Sequence, residues 1–235
     1  MASGVIIVLL GEERLKKYEY AAWKKKYEFS LVFGISTDTY DGLGLVTGVE
    51  PPREFTKKEM EEKINGLIGK YQQEVPIYST KMINGLHLHE YARRKLPVEL
   101  PKKSGRIYSL KLKSMVKRST ASLIKEIFAR IDLINGDFRQ AEVKRKWLGV
   151  LPRRNLPEKL VTTRLIVETS KGIYIRSLSQ DIGRLLGSQC FCHDIVRTHN
   201  GTYHQENSKT LAETFGKNYK KVYDFQSQHR ITVVK

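Results

Sequence analysis

The sequence has few cysteines and no long apolar run. Only two of its 235 residues are cysteines, Cys190 and Cys192, which excludes the disulfide framework of small secreted proteins. The longest continuous apolar segment, Val5 to Leu10, is far shorter than the roughly 20 residues of a membrane-spanning helix. Hydrophobic residues make up 40% of the chain, which is too many for a disordered protein. We therefore expect a folded protein in a reducing, cytoplasmic setting.

Negative charge is also scarce, since 42 Lys and Arg residues stand against 25 Asp and Glu, for a net charge of +17. The excess is concentrated in residues 101–160, which hold 16 basic and 5 acidic side chains. Lys and Arg favour a polyanion because they release counterions from its phosphates, so this distribution indicates a nucleic-acid partner. A well-solvated surface gives the same excess, and net charge alone leaves both interpretations open.

Hydrophobic periodicity predicts a mixed α and β chain. Residues 27–33 alternate between apolar and other side chains, as a half-buried strand does. Thr56 and Glu59 form a capping box, which predicts a helix whose apolar stripe continues as far as Tyr71. The other predicted elements are strands at 107–112, 164–169 and 190–197, helices at 119–134 and 137–148, and a helix that ends at Gly187. No internal repeat or linker occurs, so we expect a single domain over residues 1–235.

Few residues have the spacing of a known catalytic or metal site. Cys190, Cys192 and His193, with two histidines nearby, suggest a zinc cluster, but C-x-C is not the usual C-x-x-C knuckle. Strand alternation also points His193 away from both cysteines, which favours ordinary buried thiols. The sequence contains no glycine-rich phosphate motif and no G-x-S-x-G, so nothing supports a nucleotide cofactor or a serine hydrolase. Arg176, taken alone, is most simply explained as one half of a surface ion pair.

Four segments match, in order, the motifs of one family. Residues 170–178 (SKGIYIRSL) resemble its S-K-G-T-Y-I-R-S-L motif, and residues 78–93 resemble its Y-S-A-K-x-x-N-G…Y-E-x-A-R block. Residues 26–44 are similar to its K-x-Y…G-x-x-T-D-T-x-D-x-x-G segment, and residues 2–5 (ASGV) to the end of its nucleophile motif. The family is that of the TruB-type tRNA pseudouridine synthases. The resemblance implies an α+β pseudouridine synthase fold, in which helices flank a mixed, mainly antiparallel central sheet.

The nucleophile motif of the family, G-x-L-D-P-x-A-S-G-V-L, aligns only in part. Its Asp would stand two residues before Met1, so the resemblance implies a chain truncated just after the catalytic Asp and inactive as printed. The sheet would lack its first strand or strands, and Arg176 would face an empty position. An apolar strand pattern that begins at residue 4 agrees with truncation, because such strands lie in sheet interiors. The alternative is a non-catalytic RNA-binding or tRNA-chaperone protein that begins at Met1.

The resemblance implies a reaction and roles for four residues. The family isomerises uridine to pseudouridine at position 55 in the T-loop of tRNA, using an Asp carboxylate and no metal, nucleotide or redox cofactor. Tyr27 would stack on the flipped uracil and serve proton transfer, and Arg176 would pair with the catalytic carboxylate. Ile195 would form part of the apolar wall of the substrate pocket, and Tyr174 would support that pocket. The expected partner is the T-arm of tRNA. The protein is expected to be a monomer that does not associate with a membrane.

One segment departs from the family. Residues 113–160 are longer and more basic than the usual connection between these strands, and they predict two helices with basic clusters. We expect this insertion to bind tRNA phosphates. After residue 211 only 24 residues follow, so we expect no small C-terminal RNA-binding domain. The residues predicted to bind RNA are Lys144, Arg145, Lys146, Arg153 and Arg154.

Overall fold

A computed structural model describes residues 2–136, 138–150, 156–210, 213–214 and 229–234, the last segment as backbone only. Its helices are α1 (Lys17–Ala22), α2 (Lys57–Asn65), α3 (Leu88–Arg94), α4 (Thr120–Asp132), α5 (Gln140–Leu148) and α6 (Ile175–Leu185). Its strands are β1 (Ala2–Leu9), β2 (Lys25–Phe33), β3 (Ile35–Thr37), β4 (Val46–Val49), β5 (Gly69–Glu74), β6 (Met82–Ile83), β7 (Leu86–His87), β8 (Lys102–Ser119), β9 (Lys159–Thr169), β10 (Cys190–Asn200), β11 (Tyr203–His204), β12 (Lys209–Thr210) and β13 (His229–Val234).

One large sheet organises the described residues. Its strand order is β12-β13-β1-β10-β2-β9-β8-β5, and β11 pairs with β10. β1 runs parallel to both β10 and β13, whereas the other pairs of this sheet are antiparallel. This mixed, mainly antiparallel sheet with helices on its faces confirms the α+β fold class. β1 lies between β10 and β13 in this order, and it pairs with β10 through residues 2–4 and with β13 through residues 4–9.

The two faces of the sheet carry separate cores, because alternate residues of each strand point to opposite sides. Phe29 and Leu31 of β2 are buried on one face with residues of α2 and α6. Val32 faces the other side, where α4 and α5 of the insertion pack. There the ring of Trp147 meets the ring of Phe191 edge to face, with centroids 5.2 Å apart. The insertion is therefore folded onto the sheet.

The predicted elements agree with the structure in most places, with one clear error. Thr56 caps α2 as predicted, accepting a hydrogen bond from the Glu59 backbone N–H at 3.1 Å. The helix ends at Asn65, however, and Tyr71 lies on β5. Gly69 has φ +115°, a conformation that interrupts a helix, and the chain then buries Tyr71 and Gln73 at a period of two. The apolar stripe after residue 65 was assigned to a helix, and that assignment is wrong.

Across the described part of the chain, the helices are too short or too polar to traverse a lipid bilayer.

Candidate active site

Two adjoining cavities lie where the segments 26–44, 78–93 and 170–178, which resemble family motifs, come together. The Tyr27 pocket, of about 650 Å³, lies among β1, α1, β2 and the loop before α6. The Arg176 pocket, of about 420 Å³, lies among the 78–80 segment, α3, the insertion and the start of α6. Tyr174 lines both cavities. The structure thus brings Tyr27, Tyr174 and Arg176 to one region of the surface.

Arg176 is held by three groups from two other segments. Its Nη1 donates to the Thr39 carbonyl at 2.7 Å, and its Nη2 donates to the Tyr78 carbonyl at 2.9 Å. Its Nη1 also lies 3.5 Å from Oδ2 of Asp41. The expectation that this arginine faces an empty position is therefore wrong. Its ordered guanidinium lies beside a carboxylate, as the family resemblance implies, but the carboxylate belongs to Asp41.

Asp41 owes its position to a tight turn. Its Oδ1 accepts hydrogen bonds from Thr39 Oγ1 at 2.7 Å and from the Leu43 backbone N–H at 3.0 Å. Thr37 Oγ1 donates to the Asp41 carbonyl at 2.7 Å. Oδ1 is thus committed to the turn, while Oδ2 faces Arg176. We infer that Asp41 is a structural partner of the arginine.

The same turn lies in line with the start of β1. Asp41 forms a parallel bridge with Cys192 of β10, and Ala2 of β1 pairs in parallel with Ile195 of β10. Because β2 occupies the other edge of β10, the turn and β1 share one edge. A backbone that extended β1 backwards would run towards Asp41 and the guanidinium of Arg176.

Tyr27 lies on β2 at the wall of its pocket and is half-buried. Burial raises the pKa of its phenol, and the neighbouring Arg197 acts in the opposite direction. The phenol therefore keeps its proton at neutral pH and offers an aromatic face with a polar tip.

The Tyr27 pocket is strongly basic. Among the described residues that line it there is no Asp or Glu. Burial, together with the charges of Arg197 and Lys171, lowers the pKa of Lys25 to about 8. Gathering cations without a carboxylate disfavours their charged forms and favours an anionic ligand. The cations that line the pocket are Lys17, Lys25, Lys103, Lys171 and Arg197.

Tyr174 is positioned by a residue that the sequence analysis missed. Buried Gln73 of β5 accepts from the Tyr174 backbone N–H at 2.5 Å and donates to its carbonyl at 3.1 Å. A glutamine on a strand carries no signal of this role, because the pairing spans about 100 residues. Ile195 is half-buried and packs against the core that contains Phe29, but it is not among the described lining residues of either cavity.

The predicted RNA-binding cluster is only partly a free basic surface. Lys144 forms an ion pair with Asp132, and its Nζ lies 5.7 Å from the centre of the Phe128 ring. Arg145 and Lys146 are exposed on α5. Arg153 and Arg154 lie outside the described residues.

The insertion also reaches the Arg176 pocket, which the sequence analysis did not foresee. Phe138 and Arg139, between α4 and α5, line this cavity opposite Arg93 of α3. The Arg93 guanidinium lies 6.0 Å from the centre of the Phe138 ring. Phe138 and Arg139 belong to a segment without family motifs, so no local pattern could have identified them.

The cysteines and His193 lie apart, as strand alternation predicted. Cys190 and Cys192 are buried in the core on the α6 face, where desolvation raises the pKa of both thiols. The His193 ring is buried beneath α4, with Nε2 at 3.0 Å from Oε2 of Glu126. In the part of the chain that the structure covers, no group of three or more His, Cys, Asp or Glu residues is arranged to hold a metal ion.

A basic cavity with aromatic side chains on its wall suits a polyanionic ligand whose bases can stack on those rings. Comparison with known families gives the assignment. The model for "TruB family pseudouridylate synthase (N terminal domain)" matches residues 1–130, more than half of the chain. The chain belongs to the TruB family of pseudouridylate synthases.

Curated relatives extend the match further along the chain. The tRNA pseudouridine synthase B of Caldanaerobacter subterraneus is 30% identical over 212 residues, covering 90% of this chain and 60% of the relative. That of Mesomycoplasma hyopneumoniae is 28% identical over 204 residues, covering 86% of this chain and 50% of the relative. The chain therefore spans only 50% to 60% of the length of these relatives. A solved H/ACA RNP bound to a substrate RNA gives a TM-score of 0.43 at 10% identity, covering 94% of this chain and 44% of that one.

Proposed function

We propose that this protein isomerises uridine to pseudouridine at position 55 in the T-loop of tRNA. The observation that carries the proposal is family membership, together with curated relatives named tRNA pseudouridine synthase B. In this reaction the bond from C1′ to N1 breaks and a bond from C1′ to C5 forms. The hydrogen on C5 leaves to solvent and N1 gains a proton, so no redox cofactor is needed.

The target base must leave the RNA stack before an enzyme can reach it. We assign Tyr27 to stack on the flipped uracil, because its half-buried ring lines the larger cavity. Tyr174 supports the base from the shared wall of the two cavities, and Ile195 backs this region from the core that contains Phe29. Arg176 holds the catalytic carboxylate in its ionised form, since a nearby opposite charge favours that form.

We infer that the nucleophilic Asp precedes Met1 by two residues. Support comes from the register of β1, since Ala2 pairs with Ile195 while Asp41 bridges to Cys192 on the same edge of β10. A residue shortly before Ala2 would then lie within reach of Arg176, whose Nη1 is already 3.5 Å from Asp41. On this proposal the chain as printed binds the T-arm without converting it.

RNA is held by uncompensated cations on this proposal. Lys103 and Lys171 are exposed at the rim of the Tyr27 pocket, and Arg145 and Lys146 are exposed on α5. Cations of this kind bind phosphates by releasing counterions. We propose a cytoplasmic monomer in which both groups contact one T-arm.

The test uses the protein purified from its own cells, with its intact mass and N-terminal sequence determined first. Unmodified tRNA carrying tritium on C5 of its uridines is the substrate, and the same tRNA with cytidine at position 55 is the control. We expect a mass above 27.1 kDa, an Asp-Pro sequence leading into Met1, and tritium release only from the tRNA with uridine 55. Equal release from both tRNAs would contradict the assignment of position 55. A protein of 27.1 kDa that binds tRNA without releasing tritium would favour the RNA-binding alternative.

A further inference from the structure

Arg139 joins the insertion to the segments around Arg176. It lies directly before α5, and its φ of +61° is in the left-handed region that non-glycine residues seldom adopt. Its Nη1 lies 2.9 Å from Oδ2 of Asp38, and its guanidinium carbon lies 4.8 Å from the centre of the Tyr78 ring. A residue stays in such a conformation only where its surroundings hold it there, and such positions cluster at functional sites.

These two contacts fall on the two segments that hold Arg176. Asp38 begins the turn that supplies the Thr39 carbonyl and the Asp41 carboxylate to Arg176. Tyr78 supplies the second carbonyl, at 2.9 Å from Nη2 of Arg176. Arg139 therefore touches a side chain on each segment, whereas Arg176 touches the backbone of each. Arg139, a cation of the insertion, thus contacts both segments whose carbonyl groups accept hydrogen bonds from Arg176.

Further contacts of Asp38 hold its carboxylate in place beside Arg139. Its Oδ1 accepts from the Leu45 backbone N–H at 2.7 Å, and the carboxylate also contacts the Tyr78 phenol, so it is held by the turn, by Tyr78 and by Arg139. Arg139 is in turn fixed to α5, because its carbonyl accepts from the Val143 backbone N–H at 2.9 Å. Val143 is buried against the sheet. A displacement of α5 would therefore reach the Thr39 and Tyr78 carbonyls through Arg139.

We propose that Arg139 is a positioning residue that couples the insertion to Arg176 by setting the spacing of the Thr39 and Tyr78 carbonyls. The consequence for isomerisation rests on the proposed function, but the coupling between the two arginines does not. Contacts of RNA with the exposed face of α5 are then linked to the order of the Arg176 guanidinium, and the linkage acts in both directions.

The competing explanation is that Arg139 is itself an RNA ligand, since it lines the Arg176 pocket beside Phe138 and Arg93. The two roles differ in what they do to Arg176 when no RNA is present. A positioning residue changes the state of Arg176 in the free protein. A residue that only binds phosphate changes RNA affinity and leaves Arg176 as it was.

The experiment follows the Nε–Hε signal of Arg176 by NMR in the chain as printed, labelled with ¹⁵N-arginine and free of RNA. The signal is identified by its loss in Arg176→Lys. In Arg139→Gln we expect it to shift and its exchange with water to accelerate on the order of tenfold, because the two carbonyls lose their fixed spacing. Arg139→Lys, which keeps the charge opposite Asp38 but not the planar group over Tyr78, should give a smaller change. Arg145→Gln, on the exposed side of α5, is the matched control and should give none.

A second variant approaches the contact from the other side. Asp38→Asn keeps the shape of the side chain and removes its charge, so it should change the Arg176 signal in the same direction as Arg139→Gln. This variant decides the question if Arg139→Gln does not fold. An unchanged Arg176 signal in a folded Arg139→Gln or Asp38→Asn protein would overturn the proposal, and a fall in T-arm affinity alongside it would make Arg139 an RNA ligand. Because the Arg176 signal is measured without RNA or turnover, failure of the proposed isomerisation leaves this result intact.

Discussion

The cations of the insertion and those of the Tyr27 pocket differ in their partners. In and beneath the insertion, Arg130 lies 2.6 Å from Asp194, and Arg118 and Lys144 each form an ion pair with a carboxylate. These charges are compensated within the protein. The Tyr27 pocket gathers five cations, and none of the described residues that line it is acidic.

This difference shows that the net charge of a sequence segment does not by itself locate a site for an anionic ligand. Residues 101–160 hold the largest excess of Lys and Arg, yet part of it joins α4 to the sheet and α5 to α4. The pocket draws its cations from five separate elements or loops, so no segment of the sequence is conspicuous for them. Binding follows uncompensated charge, which only the folded chain reveals.

The largest effect should come from the rim of the pocket. In Lys103→Gln/Lys171→Gln, we expect T-arm RNA to bind on the order of tenfold more weakly at 0.1 M salt. The slope of log affinity against log salt should fall by about 1.4, since each lost phosphate contact to a single strand accounts for about 0.7. Fluorescence anisotropy at several salt concentrations measures both quantities.

The matched control is Lys113→Gln/Arg164→Gln, because both side chains already pair with Glu28, at 3.1 Å and 3.3 Å. Its affinity and slope should stay close to those of the unchanged protein. Equal losses in the two double variants would remove the distinction between compensated and uncompensated cations.

In the insertion and the strands beneath it, where the cations are paired, pH should change the free energy of unfolding. Burial lowers the pKa of His193, as does Arg130, while Asp194 and Glu126 oppose them, and Arg118 pairs with Glu126 on the same side. Because the unfolded chain then binds the proton more readily, the free energy of unfolding should fall as pH drops below about 6.5, by at most about 1.4 kcal/mol per pH unit. The loss should level off below the pKa of the folded state. Urea unfolding between pH 5 and pH 8 measures it.

His193→Gln should remove this part of the pH dependence, and His204→Gln, at an exposed position, should keep it. A His193→Gln protein with an unchanged slope would mean that the buried ring does not govern the stability of the insertion.

A smaller effect is expected for the exposed cations of α5. Arg145→Gln/Lys146→Gln should reduce the salt slope for T-arm RNA by about half as much as the pocket pair does, because these side chains contact the RNA only from its outer side. Lys144→Gln should leave the slope unchanged, since Lys144 is already paired with Asp132. A slope unaffected by the double variant would exclude the insertion from the RNA interface.

The smallest effect concerns Lys25, whose pKa burial lowers to about 8. A bound anion favours the charged lysine and raises that pKa, so binding takes up protons and affinity should fall as pH rises from 7 to 9. We expect a decrease of about threefold, which corresponds to a rise of about half a pKa unit on binding. Lys25→Met should flatten the profile, and an affinity that increases with pH would contradict the sign.

Local sequence patterns were enough to predict most of the fold. Alternation identified β2, the capping box identified the start of α2, and Gly187 marked the end of α6, because each signal lies within a few residues of its element. The stripe ending at Tyr71 was misassigned, since a short apolar run fits either period until its partner strand is known. β5 exists because β8 lies beside it, about 35 residues further on.

The candidate site divides in the same way. Tyr27, Tyr174 and Arg176 lie in family-like motifs and were named from the sequence. Gln73 and Arg139 were missed, because each acts across about 100 residues on a partner that only folding brings near. Asp38 and Asp41 are the nearest carboxylates by sequence that could replace the missing Asp, but both belong to another family segment, and only the turn at 37–41 shows that Asp41 lies beside Arg176.

The proposed function requires the T-loop uridine to enter the pocket beside Tyr27. Photo-crosslinking of the chain to a T-arm RNA that carries 4-thiouridine at position 55, followed by mass spectrometry of the adducts, tests this entry. We expect adducts on peptides that contain Tyr27 or Tyr174, and fewer of them in Lys103→Gln/Lys171→Gln. Adducts confined to the exposed residues of β8 between 111 and 117 would contradict entry into the Tyr27 pocket.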